Sequence, residues 1–310
     1  MSGRKRWAIF SVVLVLIIVL GFVFSSLHQQ SEAKFPLTAV IIDQLAADFP
    51  DPSFVSSVNN TLQNRGFNVT YYNETLDVNS FKSLASSNYG LLILREHSAL
   101  RNDSSTVDLF TSERYVPGAH DQDLSNGRLA LGEYYYKTDL YFVLSSLFIE
   151  NLQGRFPGSI VIAMGCQSLK SGCEQMAQAF LDKGAKAYIG WSDIVFPQDT
   201  DTETTRLISM LLDENQTIGD AVRGTQPYTY SGKPSPYSNE IINVTTAMQF
   251  FPRSEDHFNI SELIAETKTA SNASMFTSLD VFLACLIAGP TYSTRLRRML
   301  RIVSLLHKHA

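Results

Sequence analysis

The chain has 310 residues, of which 45% are hydrophobic and 18% are charged, with a formal net charge of −5. This composition supplies a full hydrophobic core and excludes an intrinsically disordered chain. Three cysteines are too few for a disulfide framework, and no group of cysteines and histidines has the spacing of a zinc site. We therefore expect stability to come from an ordinary core, with no metal and no cofactor.

The first predicted element is an uncharged apolar run over residues 7–24, directly after the basic segment GRKR. A helix rises about 1.5 Å per residue, so this run is long enough to cross a bilayer. A cleaved signal peptide is the alternative, but its apolar core is about 7 to 15 residues long, whereas this run is longer and ends in FVFSSLHQQ. We predict a cytoplasmic basic segment over residues 1–6, an uncleaved signal anchor over residues 7–27 and an extracellular main domain over residues 28–275.

Eight Asn-x-Ser/Thr glycosylation motifs follow the apolar run and agree with an exterior, glycosylated domain. They begin at Asn59, Asn68, Asn73, Asn102, Asn215, Asn243, Asn259 and Asn272.

Residues 7–279 hold 17 of the 25 basic residues and 29 of the 30 acidic ones, which gives them a net charge of −12. An acidic body has no basic face for a nucleic acid, so we exclude that class of partner.

From about residue 35 the chain alternates short β-type runs with amphipathic runs of helical length. This alternation predicts an α/β fold with a mainly parallel sheet and helices on both faces. The predicted strands cover 37–45, 67–73, 90–96, 159–165 and 185–191, and the predicted helices cover 53–65, 79–87, 138–152, 173–183, 201–213 and 217–224. Residues 98–137 break the alternation with β-type pieces and turn signals, which predicts a hairpin or small flap beside the end of the third strand.

Two side chains that can act in acid–base or nucleophilic catalysis directly follow predicted strands: His97 after LLILRE and Cys166 after SIVIAMG. Ligands of an open α/β sheet meet the carboxyl ends of its strands, so neighbouring strands would bring the imidazole and the thiol to one crevice. A base near a thiol raises the fraction of reactive thiolate, which makes Cys166 a candidate nucleophile. A buried structural cysteine and a disulfide with Cys173 are the alternatives. His120, in the predicted flap, is a rival base that a flap would hold less firmly than a strand end.

The order strand–His, β-rich insertion, strand–Gly-Cys, helix and strand resembles the caspase-like (clan CD) cysteine peptidases over residues 38–224. The segment IVIAMGCQS…MAQAFLDKGAKAYIGW looks most like the gingipain and clostripain branch of that family. The resemblance implies a caspase-like fold in which Cys166 attacks the scissile carbonyl and His97 protonates the leaving amine. It also implies an oxyanion hole formed by the backbone N–H groups of Cys166 and Ser98. Ser98 stands where many members have glycine, and MGCQS differs from the caspase pentad, so the resemblance does not imply a preference for aspartate.

The same resemblance implies a substrate pocket just after the strand that follows the nucleophile. There, Trp191 would form a pocket wall and Asp193 would pair with a basic side chain of the substrate. The alternative for Asp193 is a turn or cap residue on a surface loop.

The tail, residues 276–310, is apolar and then basic. Its apolar part, residues 281–292, is short for a membrane span and contains Cys285, most simply a packing residue. Beyond it, apolar and arginine side chains fall on opposite faces of a predicted helix, as in helices that lie on anionic lipid. We predict a membrane-associated tail, either a second span with a cytoplasmic basic helix or an interfacial helix alone, with packing against the main domain as a further alternative.

Together these features predict a membrane-anchored, single-pass or two-pass, extracytoplasmic cysteine peptidase that hydrolyses peptide bonds with a His97–Cys166 dyad. Its partners would be protein or peptide substrates and membrane lipid. The alternative is a catalytically inactive caspase-like surface module for binding or scaffolding. A glutaminase-like cysteine hydrolase is a weaker alternative, because its histidine follows the cysteine and the downstream histidines here lie in irregular or tail sequence.

Overall fold

The computed structural model describes residues 35–73, 76–101, 105–134, 137, 139–233, 239–265 and 267. The chain divides into two units, residues 1–263 and 264–310, and the folded body described below belongs to the first. The predicted signal anchor and the predicted basic tail lie outside the described residues. No helix within the described ranges combines the length and apolar character needed to cross a membrane.

The secondary structure alternates strands and helices along most of the body. The strands are β1 Thr38–Asp43, β2 Asn68–Tyr72, β3 Leu91–Arg95, β4 Ser98–Leu100, β5 Val107–Arg114, β6 Leu129–Glu133, β7 Leu140–Leu144, β8 Ile160–Ala163, β9 Ala187–Trp191, β10 Tyr228–Gly232, β11 Ile242–Thr246 and β12 Met248–Phe251. The helices are α1 Pro52–Asn64, α2 Val78–Leu84, α3 Asp121–Ser125, α4 Ser146–Glu150, α5 Gln175–Asp182, α6 Pro197–Leu212 and α7 Ile218–Gly224, followed by a 3-10 helix over Arg253–His257.

Among the described residues, the central sheet has six strands in the order β12–β9–β8–β3–β1–β2. All neighbouring pairs are parallel except β12, which runs antiparallel to β9. The five strands predicted from the sequence are β1, β2, β3, β8 and β9, so the predicted mainly parallel sheet is confirmed. The central strands are apolar runs buried on both faces, as parallel sheets require.

Helices cover both faces of this sheet, as the sequence predicts. On one face, alternate residues of β1, β3 and β8 pack with α2, α4 and α5 in a single apolar cluster. On the other face, the guanidinium of Arg95 lies over the ring of Phe54 in α1 and pairs with Asp201 in α6. The helix α1 begins where the Asp51 carboxylate accepts hydrogen bonds from the backbone N–H groups of Ser53 and Phe54, with Pro52 in the first turn.

The predicted flap is a small antiparallel sheet. Within the described part of residues 98–144, its four strands lie in the order β4–β5–β7–β6. The predicted helix over 138–152 is wrong in its first half: LYFVL forms β7, which pairs with β5 and β6, and only α4 is helical. The physical reason is that aromatic and β-branched side chains favour a strand once partner strands are in place, which overrides a helical spacing. The hairpin β10–β11 and the edge strand β12 have no counterpart among the predicted elements.

Candidate active site

The strands that carry the two candidate catalytic residues are neighbours. β3 and β8 pair in parallel with Leu94 opposite Ala163, and the N–H of Met164 donates to the carbonyl of Leu94 at 2.9 Å. His97 and Cys166 each follow this register pair by three residues. Both therefore leave the sheet at its carboxyl edge, from adjacent strands, where open α/β sheets bind their ligands.

Gly165 lets the two chain segments approach closely at this edge. A Cβ on Gly165 would lie 2.6 Å from the backbone nitrogen of Ser98 and 2.7 Å from the carbonyl oxygen of Glu96, and would also overlap the Ser98 hydroxyl. The Ser98 hydroxyl donates to the carbonyl of Cys166 at 2.6 Å. The segment after β3 thus packs directly on the turn that presents the cysteine.

Replacing Gly165 by alanine is expected to lower the free energy of unfolding by about 1–3 kcal/mol, because the methyl group overpacks against backbone atoms that cannot rotate away. Urea-induced unfolding measures the change. Gly118→Ala is the matched control, since a Cβ there meets nothing within 4 Å and only its φ of +87° resists a side chain. A Gly165→Ala protein no less stable than the control would contradict the close approach.

Cys166 is a half-buried thiol that donates to a backbone carbonyl. Its Sγ lies 3.4 Å from the carbonyl oxygen of Val195, in the segment that follows β9. Burial raises the pKa of Cys166, and the nearby carboxylate of Asp193 raises it further. Cys166 and Cys173 are not joined by a disulfide. The side chain is therefore a protonated thiol at neutral pH.

His97 is a half-buried imidazole held against aromatic rings. Its backbone N–H donates to Oε1 of Gln44 at 2.9 Å, and its ring centroid lies 5.0 Å from that of Tyr134 and 6.1 Å from that of Phe49. Burial lowers the pKa of His97 to about 4, so the ring is neutral at pH 7. These contacts lie on the β1 side of β3 and in the flap, whereas Cys166 contacts the β9 side of β8. At neutral pH the two groups are thus an uncharged imidazole and an uncharged thiol rather than an ion pair.

Ser98 is the first residue of β4 and does not adopt a positive φ. The left-handed residue at this edge is instead Gln167, directly after Cys166, with φ of 58°. Non-glycine residues in this region cost about 1 kcal/mol or more and concentrate at functional sites. The sequence analysis missed Gln167, because a glutamine carries no signal for a left-handed conformation.

Trp191 does not line an open pocket. Its side chain is 0% exposed, and its indole N–H donates to Oγ1 of Thr200 at 2.8 Å. The exposed aromatic side chain of this region is Phe196, which is 47% exposed and stacks on Tyr230 of β10 at 5.2 Å. Sequence reasoning missed Phe196, which follows Trp191 by five residues.

Asp193 has partners within the protein. Its carboxylate accepts from Nζ of Lys170 at 2.6 Å and from Nε2 of Gln167 at 3.1 Å. Although burial raises the pKa of Asp193, these hydrogen bonds outweigh it and hold the pKa below its usual value. A basic substrate side chain would therefore meet a carboxylate that Lys170 already neutralises.

His120, the rival base, belongs to the flap. Its Nε2 lies 2.9 Å from Oε1 of Glu113, and its ring packs edge-on against Phe142 at 4.9 Å.

Among the glycosylation motifs, Asn68, Asn73, Asn215 and Asn243 are exposed, Asn59 and Asn259 are half-buried, and Asn102 and Asn272 lie outside the described residues. Within the described residues, no group of three or more acidic, histidine or cysteine side chains could hold a metal ion.

A cleft of about 640 Å³ lies between the flap and the end of β1. Its lining includes Gln44 and Tyr134, both of which contact His97, and Lys137 from the flap. The Lys137 ammonium lies 2.6 Å from the carboxylate of Asp48 and 5.2 Å above the Tyr134 ring. The flap and the end of β1 thus form the two walls of a polar groove.

Comparison with known families and with curated proteins gives no match. Among solved structures, the chain is similar to the crystal structure of the Arg specific cysteine proteinase gingipain R, with a TM-score of 0.40 and 12% sequence identity. The similarity covers 62% of this chain and 41% of that one, so the chain spans less than half of that structure's length. A likeness of this strength assigns neither a family nor an activity.

Proposed function

We propose that this chain is a cysteine peptidase in which Cys166 is the nucleophile and His97 is the general acid and base. The observation that carries the proposal is the parallel pairing of β3 with β8, whose carboxyl ends lead directly into these two residues. The polar groove between the flap and the end of β1 supports a peptide substrate, because Gln44 and Tyr134, which line it, both contact His97.

The chemistry starts from the neutral pair. A substrate amide bound at this edge of the sheet would have its carbonyl carbon against Sγ and its nitrogen against the imidazole. The imidazole takes the thiol proton as sulfur attacks the carbonyl carbon, and it gives that proton to the leaving nitrogen as the C–N bond breaks. Water then hydrolyses the thioester and restores the thiol. The backbone N–H groups of Cys166 and Ser98 would bind the oxyanion, and the close packing allowed by Gly165 holds these segments together.

The proposal extends to location and partners. The apolar run at residues 7–24, the acidic body and the glycosylation motifs support an extracytoplasmic domain anchored in the membrane. Its substrates would be proteins or peptides outside the cytoplasm, and its anchor and basic tail would contact lipid.

Hydrolysis of a mixed-sequence peptide library by the full chain in detergent, followed by mass spectrometry, tests this function. Cys166→Ala is expected to lower the rate at least about 10³-fold, and His97→Ala to have a comparable effect, because the two residues act as one unit. The matched controls are Cys173→Ala and His120→Ala, which remove the same side chains outside the dyad and should retain activity. Unchanged cleavage by Cys166→Ala would rule out the peptidase.

A second candidate function is a non-catalytic binding module. The observation that favours it is the burial of the Cys166 thiol, which raises its pKa and so keeps the sulfur in its unreactive, protonated form. In that case the wild-type chain cleaves no peptide of the library, and Cys166→Ala and His97→Ala do not differ from it.

A further inference from the structure

Gln167 occupies a backbone conformation that its side chain makes unfavourable. Its φ of 58° places it in the left-handed region, which glycine adopts without a penalty. A glycine would therefore satisfy the turn after Cys166 better than glutamine does. What the position gains from glutamine must come from the side chain.

That side chain connects two walls of the candidate active site. Its Oε1 accepts from the backbone N–H of Leu100 in β4 at 3.3 Å, and its Nε2 donates to Oδ1 of Asp193 at 3.1 Å. The backbone N–H of Gln167 also donates to the carbonyl of Asp193 at 3.0 Å. One residue thus joins the segment that follows His97 to the segment that follows β9.

The segment after β9 reaches the reactive sulfur. Asp193 is held further by Lys170, and its backbone N–H donates to Oγ1 of Thr246 at 3.1 Å. Two residues later, the carbonyl of Val195 accepts the hydrogen bond from Sγ of Cys166. A shift of Asp193 would therefore move both the acceptor of the thiol proton and the carboxylate nearest to it.

We propose that Gln167 is a positioning residue for Cys166: its side-chain amide fixes the Asp193–Val195 segment, and so the environment of the thiol, relative to β4. This rests on the proposed function only in that Cys166 is taken as the reactive group. The charged group that acts on the thiol is the carboxylate of Asp193, which pairs with the ammonium of Lys170.

Two substitutions of opposite chemistry test the proposal in the full chain. Gln167→Gly removes both side-chain bonds and relieves the left-handed backbone. Gln167→Glu keeps the acceptor for Leu100 but loses the donor to Asp193 and places a second carboxylate beside it. The readout is the rate of alkylation of Cys166 by iodoacetamide as a function of pH, followed on the peptide that contains Cys166. Asn88→Gly, which relieves a similar φ of 51° at an exposed site, is the control for the backbone effect.

In Gln167→Gly the Asp193 carboxylate loses one of its hydrogen bonds and shifts relative to the thiol, so the alkylation profile is expected to move toward lower pH, with a rate at pH 7 that is faster by at most about tenfold. In Gln167→Glu the profile moves the opposite way. The thermal midpoints of Gln167→Gly and Asn88→Gly are measured beside that of the wild type, so that a change of stability is separated from a shift of the alkylation profile. An unshifted profile for Gln167→Gly would overturn the proposal whatever Gln167→Glu does, because an added carboxylate raises the thiol pKa without any positioning role, and so would a shift in the same direction for both variants.

Alkylation does not require turnover, so the two proposals fail separately. Loss of the peptidase hypothesis leaves the alkylation result unchanged, because it measures the thiol and not peptide cleavage. Conversely, the protein could be an active peptidase in which substitutions of Gln167 do not change the pH profile of Cys166 alkylation. That result would support the proposed function and exclude the positioning role of Gln167.

Discussion

Replacing Arg95 by methionine is expected to lower the free energy of unfolding by about 3–5 kcal/mol, because it removes the cation from a buried cluster of charges. Arg95 is 0% exposed. Its Nε and Nη2 each donate to a carboxylate oxygen of Asp201 at 2.7 Å, and its Nη1 donates to Asp43 at 2.6 Å. The variant leaves two carboxylates inside the protein without the guanidinium that neutralises them.

The expected loss of stability is large because this cluster connects separate elements of the fold. Asp43 ends β1, Arg95 ends β3, and Asp201 lies in α6, so the three side chains tie two strand ends to one helix. Nη2 of Arg95 also donates to the carbonyl of Phe49, whose ring packs on His97. Loss of Arg95 should therefore loosen the edge of the sheet that presents the candidate catalytic residues.

Urea-induced unfolding followed by circular dichroism measures the effect of Arg95→Met. Arg65→Met is the matched control: the Arg65–Asp213 pair is 37% and 42% exposed, and losing it should cost less than about 1 kcal/mol. Adding Asp43→Asn and Asp201→Asn to Arg95→Met should recover much of the stability, because no uncompensated charge remains. If Arg95→Met is no more harmful than the control, the cluster does not hold the strand ends.

The parallel sheet could be predicted from the sequence because its strands are short, apolar and separated by helical spacing. The strand β7 could not, since LYFVL fits either a strand or the start of an apolar helix, and only its pairing with β5 and β6 decides between them. The edge strand β12 could not be predicted either, because its four residues form a strand only by pairing with β9.

The candidate site also has a part that could be predicted from the sequence and a part that could not. His97 and Cys166 could be located because the rule that strand ends carry functional groups depends only on the order of elements. The environment of Trp191 and Asp193 could not, because it depends on Thr200, reached through the start of α6, and on Lys170, 23 residues away along the chain. The pairing of Asp193 with Lys170 makes it a structural member of this region, which is why its role as a partner for basic substrates remains a prediction.

Replacing Glu96 by glutamine is expected to remove a contribution that lowers the stability of the wild type as the pH rises. Glu96 is 1% exposed, and among the described residues neither carboxylate oxygen has a hydrogen-bond partner. The nearby hydroxyl of Tyr188 is also buried and lacks a partner among them. Burial raises the pKa of Glu96 well above its usual value, so the folded protein keeps this carboxyl protonated.

The direction of the pH effect follows from comparing the two states. In the unfolded chain, glutamate ionises near pH 4.3, that is, at about its reference pKa. Above that pH the unfolded state has released the proton and the folded state has not, so folding must take up a proton. The contribution to stability is complete below about pH 4 and is lost at about 1.4 kcal/mol per pH unit until the folded-state pKa is reached. Glutamine does not titrate, so its variant lacks this contribution. His97, whose folded pKa is about 4, adds a slope of opposite sign up to about pH 6.5 in both proteins, so the difference between the two curves isolates Glu96.

Unfolding in urea at intervals from about pH 5 to pH 8 measures the slope for the wild type and for Glu96→Gln. Two controls isolate the buried carboxyl. Glu150→Gln, an exposed change in α4, should keep the wild-type slope, and Tyr188→Phe should cost little because it removes a hydroxyl that lacks a partner. Because glutamine brings its own unpartnered amide, the diagnostic quantity is the slope and not the stability at one pH. Parallel curves for the wild type and Glu96→Gln would mean that Glu96 is ionised and stabilised in the folded protein, which would place a cation or donor beside the residue that precedes His97.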